Sequence, residues 1–309
     1  MKKLFTLFIL LGIFQYNFAQ QEPQSSLYAN NPMIYNPAFA GTFPYTSIQA
    51  SSRFQWIGIK GAPMTQYLSF NTGFKKKSFG IGAHFINGII GARLSQSAYM
   101  DFGYNIKLNR KNHRLAFGMS AGIDIQQLQF SNLYVNADDV NDPFRINSTI
   151  YSPNFGAGIY YYGDNFFAGA SVPRILQSNL AVYDTVSMNR HNITSQHLYL
   201  MGGYNFQLTH TISLRTSAMV KLVINSPVTF DITSSVIFYD KFMIGANYRF
   251  NESIGVNANF KVGKKWVFGY AYDFPINDVA FKQWGTHEVM IGLCLGQGRK
   301  KSPVSCFYF

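Results

Sequence analysis

The sequence predicts an all-β protein, a transmembrane antiparallel β-barrel of about fourteen strands with an N-terminal plug-like segment. Three observations carry that expectation. Apolar and polar residues alternate in runs of roughly ten from residue 46 nearly to the C-terminus. Ala98, Met100, Phe102, Tyr104, Ile106 and Leu108 interleave with Tyr99, Asp101, Gly103, Asn105 and Lys107; Leu115, Phe117, Met119, Ala121, Ile123 and Ile125 interleave with Gly118, Ser120, Gly122, Asp124 and Gln126. Successive side chains of a strand point to opposite faces, so each run has one oily face and one wet face. Aromatic residues make up 17% of the chain and charged residues only 13%, roughly half of the ~25% usual in soluble domains. No stretch after residue 20 reaches the ~20 consecutive apolar residues that a spanning helix needs. The apolar content is therefore spread over alternate positions, as in a wall that faces lipid.

In chain order, Met1 to Ala19 read as a signal peptide: Lys2 and Lys3 are a positive start, Leu4 to Phe14 an apolar stretch, and Asn17-Phe18-Ala19 a cleavage site before Gln20. Residues 20–45 are not barrel-like. Asn31-Pro32 and Asn36-Pro37 initiate turns, because proline biases the residue before it away from helix. This segment, with Gly41 closing its motif, is either a disordered periplasmic leader or a plug in the lumen; Tyr28, Tyr35, Phe39, Phe43 and Tyr45 favour an ordered one. The barrel is expected over 46–297, and 298–309 as a tail. Expected strands cover 46–57, 64–73, 78–88, 98–108, 113–128, 154–162, 165–173, 195–207, 210–224, 228–239, 241–250, 253–262, 265–274 and 286–296.

The connections form two sets. Those after even strands are short and those after odd strands include the long stretches 129–153, 174–194 and 275–285, the asymmetry of short periplasmic turns and longer outer loops. The formal net charge of +12 falls on the short side, at Lys75, Lys76, Lys77, Arg110, Lys111, Lys264 and Lys265, with Arg299 to Lys301 in the tail. Such a rim is a solvated face or a dock for an acidic periplasmic partner. Nucleic acid is not expected, since that requires aromatics interleaved with the basic residues.

Few residues suggest chemistry. The histidines are scattered, and no hydrolase or metalloprotease motif is present; His287 beside Glu288 is the one pairing a surface enzyme could use. Asp138, Asp139 and Asp142 with Asn136 and Asn141 match no established calcium loop and read as a solvated acidic loop. Cys294 and Cys306 could pair in an oxidising periplasm, but with Cys294 inside a strand the expectation is two isolated thiols. No enzyme activity, metal or cofactor is expected. Asp101, Asp124, Asp231 and Asp273 could pair inside the barrel with Arg215, Lys221, Arg249 and Lys261 as structural staples.

Asn31-Pro32, Asn36 to Gly41, and the stretch holding Arg53, Gln55, Trp56, Gly58, Gly61, Ala62, Pro63, Thr65 and Gln66 resemble the N-terminal signature of the PorP/SprF family of outer-membrane proteins. Asp142-Pro143-Phe144, Pro153 to Gly158, Ser171-Val172-Pro173, Ser253-Ile254-Gly255, Lys264-Lys265-Trp266 and Phe268 to Asp273 continue the resemblance in order. The ending departs from the family's usual Ser-Pro-Arg-Tyr-Phe: Ser302-Pro303 is followed by Val304 to Phe309. The resemblance implies a component of the type IX secretion and gliding machinery of Bacteroidota in the outer membrane. Its partners would be the C-terminal sorting domain of a secreted adhesin, and periplasmic ring or translocon proteins. On that reading the partner-binding candidates are Arg53, Gln55, Trp56, Gly58, Gly61, Pro63, Thr65, Gln66, Asp142 and Phe144. Independently, Gly58, Gly61 and Pro63 suggest an ordered loop, and Trp56 is either an interface-belt aromatic or a binding anchor. The other function class open to such a barrel is a pore or a transporter of hydrophobic solutes.

Overall fold

The computed structural model describes residues 22, 24–43, 45–74, 78–108, 113–129, 148–176, 179–180, 191–192, 196–224, 226–277 and 283–296. Its strands are β1 Thr46–Phe54, β2 Met64–Gly73, β3 Phe79–Ile90, β4 Arg93–Lys107, β5 Arg114–Leu128, β6 Ser148–Tyr162, β7 Phe166–Val172, β8 Asn179–Leu180, β9 His191–Asn192, β10 His197–Gln207, β11 Ile212–Val223, β12 Thr229–Phe238, β13 Phe242–Arg249, β14 Ser253–Val262, β15 Trp266–Pro275 and β16 Thr286–Leu295. Fourteen of them close into one antiparallel ring, each beside its neighbour in sequence, while β8 and β9 pair apart from it. Closure comes from β1 on β16, with Thr46 opposite Leu295 and Phe54 opposite His287. A closed ring satisfies the backbone donors and acceptors that lipid could not.

All fourteen expected strands are present, and the alternation assigns their faces correctly. Met100, Phe102 and Tyr104 are exposed on the outside, whereas Tyr99, Asp101 and Asn105 are buried inside. Two strands start earlier than expected, β4 at Arg93 and β6 at Ser148. The reason is visible on the outer face, where Gln66, Asn87 and Gln96 stand in register on three adjacent strands and hydrogen-bond in a chain. Backbone pairing continues past the apolar band, but the oily alternation stops there. At the opposite end, outward rings meet beside the turns: Phe74 stacks on Phe79, Phe238 on Phe242 and Phe260 on Phe268, and Tyr204 lies tilted against Phe206. This is the aromatic girdle of a membrane barrel.

The two ends differ. At one end the chain reverses within a few residues; between β12 and β13, Tyr239 and Asp240 both adopt positive φ, as tight hairpins require. Longer segments lie at the other end, although β3 and β4 are joined there by Gly91-Ala92 alone. Cys294 is disulfide-bonded, which corrects the expectation of isolated thiols. It sits one residue from the end of β16; Cys306, the sole other cysteine of the sequence, lies outside the described residues.

Residues 24–43 lie inside the ring as three short 3-10 turns, η1 Tyr28–Asn30, η2 Pro32–Ile34 and η3 Pro37–Phe39. Proline opens the last two, and Asn36 caps η3 by accepting from the Ala38 N–H at 2.9 Å. Met33, Tyr35, Phe39 and Phe43 join Tyr67, Tyr160 and Tyr199 of the wall in one buried cluster. Among the spaces between segment and wall, two measure about 40 and 20 Å³, room for a water or so each.

A row of glycines makes this fit possible. Gly80, Gly103, Gly118 and Gly158 stand opposite one another across β3, β4, β5 and β6. A Cβ on Gly103 would lie 2.0 Å from the Ala40 carbonyl oxygen, one on Gly118 2.0 Å from the Ala38 nitrogen, and one on Gly158 2.2 Å from Asn36 Oδ1. The row is a groove in the wall that takes Asn36 to Gly41. Gly118→Val should therefore unseat this turn at a cost of about 1–3 kcal/mol. Chymotrypsin should then cut at Tyr35 and Phe39 in folded, heat-modifiable barrel. Gly202→Ala, whose nearest neighbour would be 3.6 Å away, should leave the segment resistant.

Candidate functional site

The lumen and the loop end together form the candidate site. Thr46 leaves the lumen at the turn end, and Glu22 lies at the loop end beside Arg174 and Tyr199. The segment thus crosses the barrel lengthwise. Along the way Asn31 donates to Ser69 Oγ (2.9 Å), Asn36 to the Ile159 carbonyl (3.0 Å), and the Gly41 N–H to Asn71 Oδ1 (2.7 Å). Arg215 donates to Asn30 Oδ1 at 3.0 Å.

Two ionic clusters hold its outer half. The first bridges the closing seam. Arg53 of β1 pairs with Asp273 of β15 at 2.8 Å and with Glu288 of β16 at 3.2 Å, all three buried. Ser26 donates its backbone N–H to Glu288 at 2.8 Å, and the Ser25 and Ser26 hydroxyls bond to Glu288 and Asp273. Nearby, Arg249 pairs with Asp231 (2.8 Å) and Glu252 (3.1 Å). Carboxylates so deep in a protein are tolerated only when paired and hydrogen-bonded. Substituting Arg53 by Met leaves Asp273 and Glu288 uncompensated and should cost about 3–5 kcal/mol, seen as a lower denaturant midpoint; Arg53→Met with Glu288→Gln should recover part of the loss.

The second cluster surrounds Glu22. After Val172 the chain leaves the wall: β7 has seven residues against fifteen in β6, and Ile175 and Leu176 are held to Phe155 and Asn154 instead. This turns Arg174 inward. Its guanidinium pairs with Glu22 and with Asp124 (3.2 Å), donates to Ser97 Oγ (3.1 Å), and stands 5.9 Å over the Tyr99 ring. Tyr199 donates to Glu22 Oε2 at 2.8 Å, and His197 Nδ1 lies 3.5 Å from Oε1. Burial alone would raise the Glu22 carboxyl, but Arg174, His197 and Lys221 outweigh it and bring the group down to about 2 from its ordinary 4.5. A depressed acid stabilises the docked state fully above its free value and loses that contribution as pH falls through the folded one. The denaturant midpoint should accordingly exceed that of Glu22→Gln by a full margin above pH 4.5, with the margin shrinking as pH falls toward 2.

The expected site residues separate into three groups. Arg53 and Thr65 are buried and face the lumen, so they are withdrawn from any partner meeting the loops; Arg53 is a staple. Gln66 faces outward in the polar chain described above. Gln55, Trp56, Gly58, Gly61 and Pro63 do share a rim loop, as expected for an ordered one. The Gln55 N–H bonds to the Pro63 carbonyl (2.9 Å), and the Gly91 N–H to the Gly61 carbonyl (2.9 Å). Ile57 and the 284–285 backbone exchange two bonds of 3.0 and 2.8 Å. Trp56, Gly58 and Gly61 have positive φ. Trp284 projects over Gly58, 78% exposed.

Asp142 and Phe144, the acidic loop, and Lys75, Lys76, Lys77, Arg110 and Lys111 lie outside the described residues, as do the signal-peptide and tail assignments. Lys264 and Lys265 are exposed at the β14–β15 turn, the end where β1 starts and β16 finishes. The imagined pairing of His287 and Glu288 is overturned: Glu288 points inward to Arg53, while His287 points outward to Tyr270 (2.7 Å). Of the expected staples, Asp231 meets Arg249; Asp101 meets His84 (2.7 Å), Asp124 meets Arg174, and Asp273 meets Arg53. Sequence reasoning missed Glu22 and Arg174. One signal was available for the first, since Glu22 is the single charged residue between positions 20 and 45.

A closed, lipid-facing barrel filled by its own N-terminal segment is an outer-membrane β-barrel protein. The family model described as type IX secretion system membrane protein PorP/SprF matches residues 17–293, and the chain belongs to that family. No curated protein matches the sequence. Among solved structures, the toluene transporter TbuX of Ralstonia pickettii is similar at 9% identity and TM-score 0.51, covering 85% of this chain and 92% of its own. Omp33 of Acinetobacter baumannii is similar at 10% identity and TM-score 0.46, covering 82% and 99%. The monoaromatic hydrocarbon channel TodX gives 9% and 0.43, covering 85% and 93%. At these identities the likeness to TbuX speaks for the barrel fold alone.

Proposed function

We propose that this protein is a non-enzymatic component of the secretion and gliding machinery that binds the C-terminal sorting domain of a secreted adhesin with its loop end. It thereby aids the adhesin's export or its retention at the cell surface. The basic pair Lys264 and Lys265 faces the periplasm and meets acidic surfaces of ring or translocon proteins.

The observation that carries this reading is the pairing of a filled lumen with a rigid outer loop. A barrel occupied along its length offers surfaces rather than a passage, which counts against the pore or hydrophobic-solute transporter. The loop over 55–63 is tied on both sides to neighbouring segments and presents Ile57 and Trp284 to the outside. An aromatic anchor on a preorganised backbone is the residue type and setting that dominate protein interfaces.

Replacing residues 57–61 by a Gly/Ser linker and Trp284 by Ser should leave a heat-modifiable barrel. It should weaken capture of an adhesin sorting domain by at least tenfold, with Trp284→Ser alone costing about 2 kcal/mol. Undiminished capture by the doubly altered barrel overturns the proposal.

A further inference from the structure

We propose that the cluster around Glu22 is a binding site for the carboxylate of an extended peptide, and that Glu22 is its tethered, displaceable occupant. The inference deepens the reading above, on which the incoming carboxylate is the chain end of the secreted partner.

Four features build the site. The Arg174 guanidinium, the Tyr199 hydroxyl and His197 converge on the two oxygens of one carboxylate. The arrangement is a receptor in form: a fork of donors, a hydroxyl and a ring nitrogen around a single anionic group. Second, Lys221 stands directly opposite Tyr199 across β10 and β11. Its residue is 6% exposed, and its ammonium has no hydrogen-bond partner. A buried ammonium without a hydrogen bond is costly, and a further carboxylate oxygen contact would relieve it. Third, the site lies at the loop end of the lumen, where the short β7 turns Arg174 inward. Fourth, the neighbouring stretch is held through its backbone: the Ser25 N–H bonds to the Tyr35 hydroxyl of the same segment (3.0 Å) and the Ser26 N–H to Glu288 of the wall. The wall thus bonds main chain at Ser26 and a carboxylate at Glu22.

Displacement would also carry a signal. Arg174 belongs to the segment joining β7 to β10 and ties Glu22 to Asp124 and Ser97 of the wall. A carboxylate that takes Arg174 from Glu22 frees the outer end of the lumenal segment while leaving the turn in the glycine groove seated.

The test uses the full chain in detergent and reads chymotrypsin cleavage at Leu27 and Tyr28. In Glu22→Gly the outer end should become cleavable, and acetate filling the vacated site should raise the denaturant midpoint of the barrel at least twice as far as acetamide does. Lys221→Met in that background should abolish the difference. Equal effects of acetate and acetamide, or none from either, overturn the site. Should Glu22→Gly not fold, wild-type protein answers the same question: acetyl-triglycine as the free acid should speed cleavage at Leu27 at least tenfold more than its amide, and equal rates overturn it. No adhesin enters either arm, so a positive result here with failed sorting-domain capture would retain the carboxylate site and reject the adhesin reading.

Discussion

Closure of β1 onto β16 is the constraint from which the rest follows. In lipid an unpaired strand edge would leave backbone groups without partners, so the sheet must return on itself. A ring of fourteen strands encloses more space than wall side chains can fill, since about eight already suffice for a side-chain-packed interior. The lumen must therefore hold water or chain. Here it holds chain, and the consequences run through the structure: a glycine groove where the backbone turns against the wall, a buried aromatic cluster around it, and ion pairs where its polar end meets lumenal carboxylates.

The lumenal segment and the seam are mutually dependent. Arg53 and Glu288 are cross-strand partners at the junction that closes the barrel, and Ser25 and Ser26 complete their hydrogen bonding. With the segment absent, these carboxylates would lose donors that the wall does not supply. Charge burial thus favours a state in which the ring is closed and occupied at once. Around Glu22 the balance is different, because the buried Lys221 ammonium there is left without a hydrogen bond.

The loop end has a corresponding division of labour. Positive φ at Trp56, Gly58 and Gly61 and the bonds to Gly91 and Gly285 hold the 55–63 loop in one shape. Preorganisation of this kind lowers the ordering cost of association. Its neighbour after β7 turns inward at Arg174, so one rim segment addresses the outside while another addresses the lumen.

What the sequence determined by itself was the wall. Period-2 alternation reports which face of each strand meets hydrocarbon, and lipid contact is imposed strand by strand, so Met100 or Phe117 reveals its side without knowledge of its neighbours. The same locality explains the early starts of β4 and β6, where the strands outlast the oily band. The tertiary structure alone decided register, and with it everything that joins distant strands. Gly80, Gly103, Gly118 and Gly158 look like four unrelated small residues until pairing places them side by side. Arg53 reads as a loop-side partner residue until closure sets it against Asp273 and Glu288. Arg174 and Glu22, 152 positions apart, meet because β7 ends early and the N-terminal segment runs the full length of the lumen, and no local pattern encodes a contact made through the hollow of a closed ring.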